Sequence, residues 1–96
     1  MDVNTLLHRD KDGNLLPIET ELEDGKGITV IPVTRGERNK LLTRNFLSVE
    51  EESKFDNEFI LRHLVSPKLS EEDLNDAPHF VTVDIIKDVL KVSAEG

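Results

Sequence analysis

The stretch DGKGITVIPVTRGE, residues 24–37, decides the fold, because a strand pattern changes to a helix pattern within it. Gly25 and Gly27 favour a tight turn, since glycine reaches positive φ without a Cβ clash. The β-branched run that follows, residues 28–33, predicts a strand. Thr34 then precedes Glu37 by three residues, the spacing of a capping box, so a helix is predicted to begin there.

Residues 14–23, upstream of the turn, are predicted to form the partner strand. Pro17 in that strand and Pro32 in the return strand cannot donate a ladder hydrogen bond, so each must face an edge or a bulge. The sequence therefore predicts a hairpin over residues 14–33. The mostly polar residues 1–13 before it are predicted to be flexible.

The pattern downstream is helical. We expect helices over residues 34–46, 49–64 and 80–93 and a short capped helical turn at 70–74, with no third strand. The predicted fold class is α+β: an N-terminal two-stranded β-hairpin followed by a small bundle of about three helices. Residues 1–96 form one domain, of which 34–96 is the helical part.

The last predicted helix carries an aliphatic stripe on one face, formed by Val81, Ile85, Val89 and Val92. Such a stripe packs against the rest of the domain or is presented to a partner. Both interpretations fit the sequence. If the stripe is exposed, it is a candidate partner-binding surface and also predicts self-association.

Charge and composition exclude several classes of protein. The net charge is −8, and it is uneven: residues 1–47 hold eight acids and seven bases (−1), whereas residues 48–96 hold twelve acids and five bases (−7). An acidic face disfavours nucleic acid as a partner. The chain has no cysteine, and its apolar runs are far shorter than the roughly 20 residues that span a bilayer, so we expect a protein of a reducing compartment that does not enter membranes.

Candidate chemistry is sparse. Asp10, Asp12, Asn14 and Glu21 match four positions of a calcium-binding EF-hand loop, but Leu15 replaces the glycine that the loop requires, so a polar turn explains them better. The histidines His8, His63 and His79 lack the spacing of a metal site. Glu50, Glu51 and Glu52 are consecutive, so a helix fans them apart. We therefore predict no catalytic residue, no metal and no cofactor, and a protein that is not an enzyme.

The stretch FILRHLVSPKLSEEDL, residues 59–74, together with the elements around it, resembles the tail assembly chaperones of siphovirus-type, long-tailed phages. In that family a helix ending in an Arg-His-like pair is followed by Pro, a Leu-Ser/Thr-Glu-Glu-Asp-Leu segment and a last helix. The resemblance covers residues 28–96. It departs from the family at residues 77–80, where Ala-Pro-His-Phe stands in place of a Pro-Ala-Gly-like lead.

The resemblance implies a protein of the infected host cytoplasm that is absent from the finished virion. It would coat the tape measure protein and help to recruit tail tube protein. A rival hypothesis is a small acidic regulator or inhibitor that masks a basic surface through Glu50, Glu51 and Glu52, with further acids at residues 71–73. A third is a minor structural tail or head-completion protein that remains in the particle.

Overall fold

The computed structural model describes residues 2–95, and these form a mixed α+β fold of five helices and one three-stranded antiparallel sheet. The helices are α1 (Val3–Leu6), α2 (Arg35–Leu42), α3 (Val49–His63), α4 (Glu71–Asp76) and α5 (His79–Glu95). The strands are β1 (Ile18–Glu21), β2 (Gly27–Val30) and β3 (Leu64–Ser66). None of the helices in this part of the chain combines the length and apolar character needed to cross a bilayer.

The β1–β2 hairpin is formed by the turn that the sequence predicts. Asp24 accepts a hydrogen bond from the Lys26 amide at 3.0 Å, which holds the pKa of this exposed carboxyl below its usual value. Gly25 adopts a φ of +87°, a conformation that a residue with a side chain rarely takes. The strands pair in register from Ile18 opposite Val30 to Glu21 opposite Gly27.

The expectation that no strand follows residue 33 is wrong. β3 pairs antiparallel with β2, placing Leu64 opposite Val30 and Ser66 opposite Thr29, with a register shift between these pairs. The Ile31 amide donates to the His63 carbonyl at 2.7 Å, so the pairing starts where α3 ends. A three-residue strand is too short to show alternation, and its pairing is set by where α3 delivers the chain.

The helices begin at the predicted caps. The hydroxyls of Thr34 and Ser48 accept hydrogen bonds from the amides three residues later, and Ser70 and Asp73 form a complete capping box. α2 ends at Leu42 rather than near Phe46. Phe46 lies in the loop after α2, and its ring packs on α3, with its centroid 5.2 Å from that of Phe55.

The core lies where the sheet, α3 and α5 meet. Its buried side chains are aliphatic apart from one phenylalanine, and they come from strands β2 and β3 and from four helices: Ile28, Val30, Leu41, Phe59, Ile60, Leu64, Leu74, Ile85 and Val89. Each apolar side chain of this size contributes about 1.5–3 kcal/mol on full burial. Strand β2 and helices α3 and α5 supply the most deeply buried of these side chains.

Residues 2–13 contain local structure that the sequence analysis did not assign. Helix α1 is capped by Asp2, and a backbone bridge joins Arg9 to Leu15. Between them Asp10 accepts hydrogen bonds from the amides of Asp12 and Asn14 at 2.9 and 3.0 Å. This turn folds the leucines on either side of it back towards the sheet.

Candidate functional site

The aliphatic stripe of α5 faces the core. Ile85 is 3% exposed and Val89 is 0% exposed, and both belong to the buried cluster. Val81 and Val92 are half-buried and pack against it. Of the two interpretations that the sequence left open, burial favours the core, because Ile85 and Val89 cannot meet a partner while the fold is intact. Val81 and Val92, at the two ends of the stripe, keep part of their surface exposed.

The acidic residues Glu50, Glu51 and Glu52 are all exposed in the first turn of α3. They do not converge. Glu51 accepts a hydrogen bond from the Leu47 amide at 3.3 Å, whereas Glu52 lies 3.9 Å from the Arg44 guanidinium. Acids at a helix N-terminus stabilise it through the helix dipole, and this accounts for their position without a ligand.

The segment that resembles an EF-hand loop is a polar turn. Asp10 uses one carboxylate oxygen to hold two amides of its own loop, and Gly13 closes the turn with a φ of +85°. Within residues 2–95 no group of three or more histidine and acidic side chains is arranged to hold a metal ion.

His63 has a structural role that the sequence analysis missed. It is buried at the end of α3, and its Nδ1 lies 2.8 Å from the Ile31 carbonyl oxygen while its Nε2 lies 2.9 Å from Glu37 Oε2. Burial raises the pKa of Glu37, but the hydrogen bond and charge of His63 lower it overall, with help from the Thr34 amide and Arg62. The imidazole thus joins β2, α2 and α3.

Residues 59–74, which carry the family resemblance, have structural roles. His63 ties α3 to β2, residues 64–66 form β3, and the Ser70–Asp73 capping box begins α4. Leu74 then buries its side chain in the core. These residues position α5, and they leave no polar group converging on a ligand.

A largely apolar concavity, called here the apolar groove, has a volume of about 530 Å³. It lies between the N-terminal segment, the ends of β1 and β2, and the last turns of α5. Its apolar lining comes from residues far apart in the chain: Leu7, Leu15, Leu16, Pro17, Ile18, Pro32, Val33 and Val92. The polar lining residues are His8, Arg9, Thr34 and Ser93, so the lining contains no acid.

Backbone hydrogen bonds hold the walls of the apolar groove together. The Leu16 amide donates to the His8 carbonyl at 2.8 Å, which turns the N-terminal leucines towards β1. On the opposite wall the Ser93 hydroxyl accepts from the Val33 amide at 2.8 Å and donates to the Val89 carbonyl at 2.6 Å. The groove is therefore a fixed feature of the fold and depends on both ends of the chain.

The groove was not predicted from the sequence. One feature of the sequence does point to it: the run Leu15-Leu16-Pro17-Ile18 is too apolar for the solvent-facing start of an edge strand. The pairing that brings Leu7 beside this run is an isolated bridge, which no period in the sequence reveals.

A second exposed apolar area lies between α2 and α3. Leu47 is 98% exposed, and Leu42 and Val49 are also largely exposed. Beneath them the Arg44 guanidinium lies 5.7 Å from the Phe46 ring centroid and 5.8 Å from that of Phe55. This area includes a concavity of about 430 Å³ lined by residues 44–49 and Glu52, and unlike the apolar groove it is flanked by the acids of α3.

No family model matches the chain, and comparisons with curated proteins and with solved structures find no match.

Proposed function

We propose that this chain is a non-enzymatic, protein-binding chaperone of the tail assembly type, which holds an apolar segment of a tape measure protein and helps to recruit tail tube protein. The apolar groove is the observation that carries the proposal. The resemblance over residues 28–96 supplies the class of partner, and the groove supplies a surface that such a partner fits.

The occupant of the apolar groove is an amphipathic helix of the tape measure protein. Helix-in-groove binding uses aliphatic anchors at i, i+3 and i+4, which match a concave lining of Leu, Ile, Val and Pro side chains. Arg9 and His8 line the groove in a chain whose net charge is −8, and no acid lines it. The helix that fits best therefore carries acids beside its apolar stripe.

The size of the groove suits reversible binding. Twelve residues line it, whereas a stable protein–protein interface uses about 20–30 residues on each side. A chaperone that polymerising tube protein must displace needs such a modest contact. The proposal also implies a protein that acts in the host cytoplasm during assembly and is absent from the finished particle. Mass spectrometry of purified virions tests this against the role of a minor structural protein.

Leu16→Asp tests the proposal. Leu16 lines the groove and is 44% exposed, so an aspartate there should leave the fold intact while placing a charge against the apolar anchors. We expect the affinity for a tape measure protein, measured by titration, to fall by about tenfold or more. Leu61→Asp is the matched control, because Leu61 is 40% exposed and lies outside both the apolar groove and the area around Leu47. Equal affinity for the two variants would exclude the groove as the binding surface.

The acidic regulator is the second candidate, and it is favoured by the exposed area around Leu47 and Val49, which lies beside exposed Glu50, Glu51 and Glu52. A basic partner would bind there mainly through charge. Its affinity should fall steeply as salt is raised to about 0.15 M, whereas binding in the apolar groove should change little.

A further inference from the structure

A second groove, called here the acidic groove, lies between β1 and α5 and has a volume of about 500 Å³. The residues that line it are 20–23 on one side and Asp84, Lys87, Asp88 and Lys91 on the other. Thr20 and Glu21 end β1 and residues 22–23 lead into the hairpin turn, so the groove lies beside the last residues of the strand. The helical residues lie at i, i+3, i+4 and i+7, which is one stripe of α5.

Asp88 is the buried residue of this lining. It is 9% exposed, and within residues 2–95 its only hydrogen bond is a long one, 3.4 Å from the Thr20 hydroxyl to Oδ1. Its Oδ2 is buried and has no hydrogen-bond partner in that part of the chain. Lys87 and Lys91 line the same groove, but neither forms an ion pair with Asp88 among the described residues. A buried carboxylate without a partner is costly, so the position calls for a donor that the chain does not provide.

Most of the charged residues that line the acidic groove are acids, as Asp88 is. Glu21, Glu23 and Asp84 join Asp88 against two lysines, which gives the lining a formal charge of −2. The outer edge of β1 also has no neighbouring strand, because the sheet order is β1-β2-β3. An extended peptide adds to such an edge through its backbone, and its alternate side chains then reach one face.

We infer that the acidic groove binds the guanidinium group of an arginine carried on an extended segment of a protein partner. The guanidinium donates to Asp88 at the floor of the groove, since a fork of N–H donors suits a carboxylate with an unused oxygen. The backbone of the segment lies along β1. This site is separate from the apolar groove and does not depend on the proposed function.

A fluorescent, end-capped peptide of alternating valine and arginine tests the inference, with the full chain as the receptor at about 0.15 M salt. We expect saturable binding that Asp88→Asn weakens by about tenfold or more, as for the loss of one partner of a charge pair. The same peptide with citrulline in place of arginine keeps the shape without the charge. It should bind the parent chain at least as weakly as the arginine peptide binds Asp88→Asn. Asp76→Asn, an exposed acid on α4, should bind the arginine peptide like the parent chain.

Asp88→Asn should retain the parent circular dichroism spectrum, because it removes a buried charge without changing the size of the side chain. Leu16→Asp should leave peptide binding unchanged, which separates this site from the apolar groove. The inference is overturned if the arginine peptide does not bind, if Asp88→Asn or the citrulline peptide binds as the parent pair does, or if Mg²⁺ or Ca²⁺ alone displaces the peptide in an Asp88-dependent manner.

Discussion

His63 is buried and connects three elements of the fold through its two ring nitrogens. The Ile31 carbonyl can only accept, so Nδ1 donates to it, and Nε2 donates to the Glu37 carboxylate when the imidazole is protonated. The Phe59 ring packs against the imidazole, with its centroid 4.7 Å away and its plane tilted by 37°. The His63 side chain therefore holds the end of β2 against the start of α2, where the Glu37 carboxylate is its hydrogen-bond partner.

The lowered pKa of Glu37 predicts a loss of stability in acid. A carboxyl whose pKa is lower in the folded state stabilises the fold above its unfolded-state value, and that contribution disappears as the pH falls through the folded-state value. We expect Glu37→Gln to lower the urea midpoint near neutral pH and the difference from the parent to shrink as the pH falls from about 6 to about 3. Glu19→Gln, at an exposed carboxyl of β1, should show no such pH-dependent difference. A difference for Glu37→Gln that stays constant over this range would contradict the prediction.

Helix α5 has two kinds of apolar residue, and they differ in what they contact. Ile85 and Val89 are packed against α3 and the sheet, while Phe80 is exposed in the first turn. The Ser93 hydroxyl fastens the other end of α5 to the end of β2. The helix therefore acts as the central support of the domain, and its solvent side, with Lys87 and Lys91, borders the acidic groove.

Val89→Asp and Phe80→Asp introduce the same charge at these two kinds of position. Val89→Asp buries a carboxylate at a site that is 0% exposed, which costs several kcal/mol against a total stability of about 5–15 kcal/mol. We expect it to abolish the cooperative thermal transition followed by circular dichroism. Phe80→Asp should change the midpoint by little, because an acid in the first turn favours the helix dipole. A folded Val89→Asp chain would mean that the stripe is not core.

The sequence predicted those parts of the fold that local chemistry decides. Residues 24–27 specify a turn, and Thr34, Ser48 and Ser70 begin helices where their hydroxyls accept an amide. β3 and the apolar groove could not be predicted, because each arises from segments that are distant in the chain. The stripe of α5 was visible in the sequence, but whether it faced inward depended on the packing of α3 and the sheet.

The whole molecule is elongated and acidic. Its principal extents are 45 × 30 × 22 Å and its radius of gyration is 14.0 Å, against about 13 Å for a typical domain of 100 residues. A net charge of −8 is concentrated in residues 48–96, which carry −7 of it. Like charges on one small domain repel one another and favour the unfolded chain.

Salt should therefore stabilise the protein. Raising NaCl from about 0.01 M to about 0.15 M shortens the screening length from about 30 Å to about 8 Å, and we expect the thermal midpoint to rise. A double variant, Asp76→Asn with Glu95→Gln, removes two exposed acids from helix C-terminal ends, where the helix dipole also opposes them. It should have a higher midpoint at low salt and a smaller rise with salt. A midpoint that fell with salt would show that favourable ion pairs outweigh the repulsion.

The hydrogen bond between Val33 and Ser93 joins residues 60 positions apart, and it belongs to a wall of the apolar groove. The β1–β2 hairpin closes a short loop and is formed from neighbours, whereas this contact has to close a long one, whose entropic cost grows with the length of the loop. We therefore expect this wall of the groove to form after the hairpin. During synthesis it cannot form until the last turn of α5, which carries Ser93, has left the ribosome.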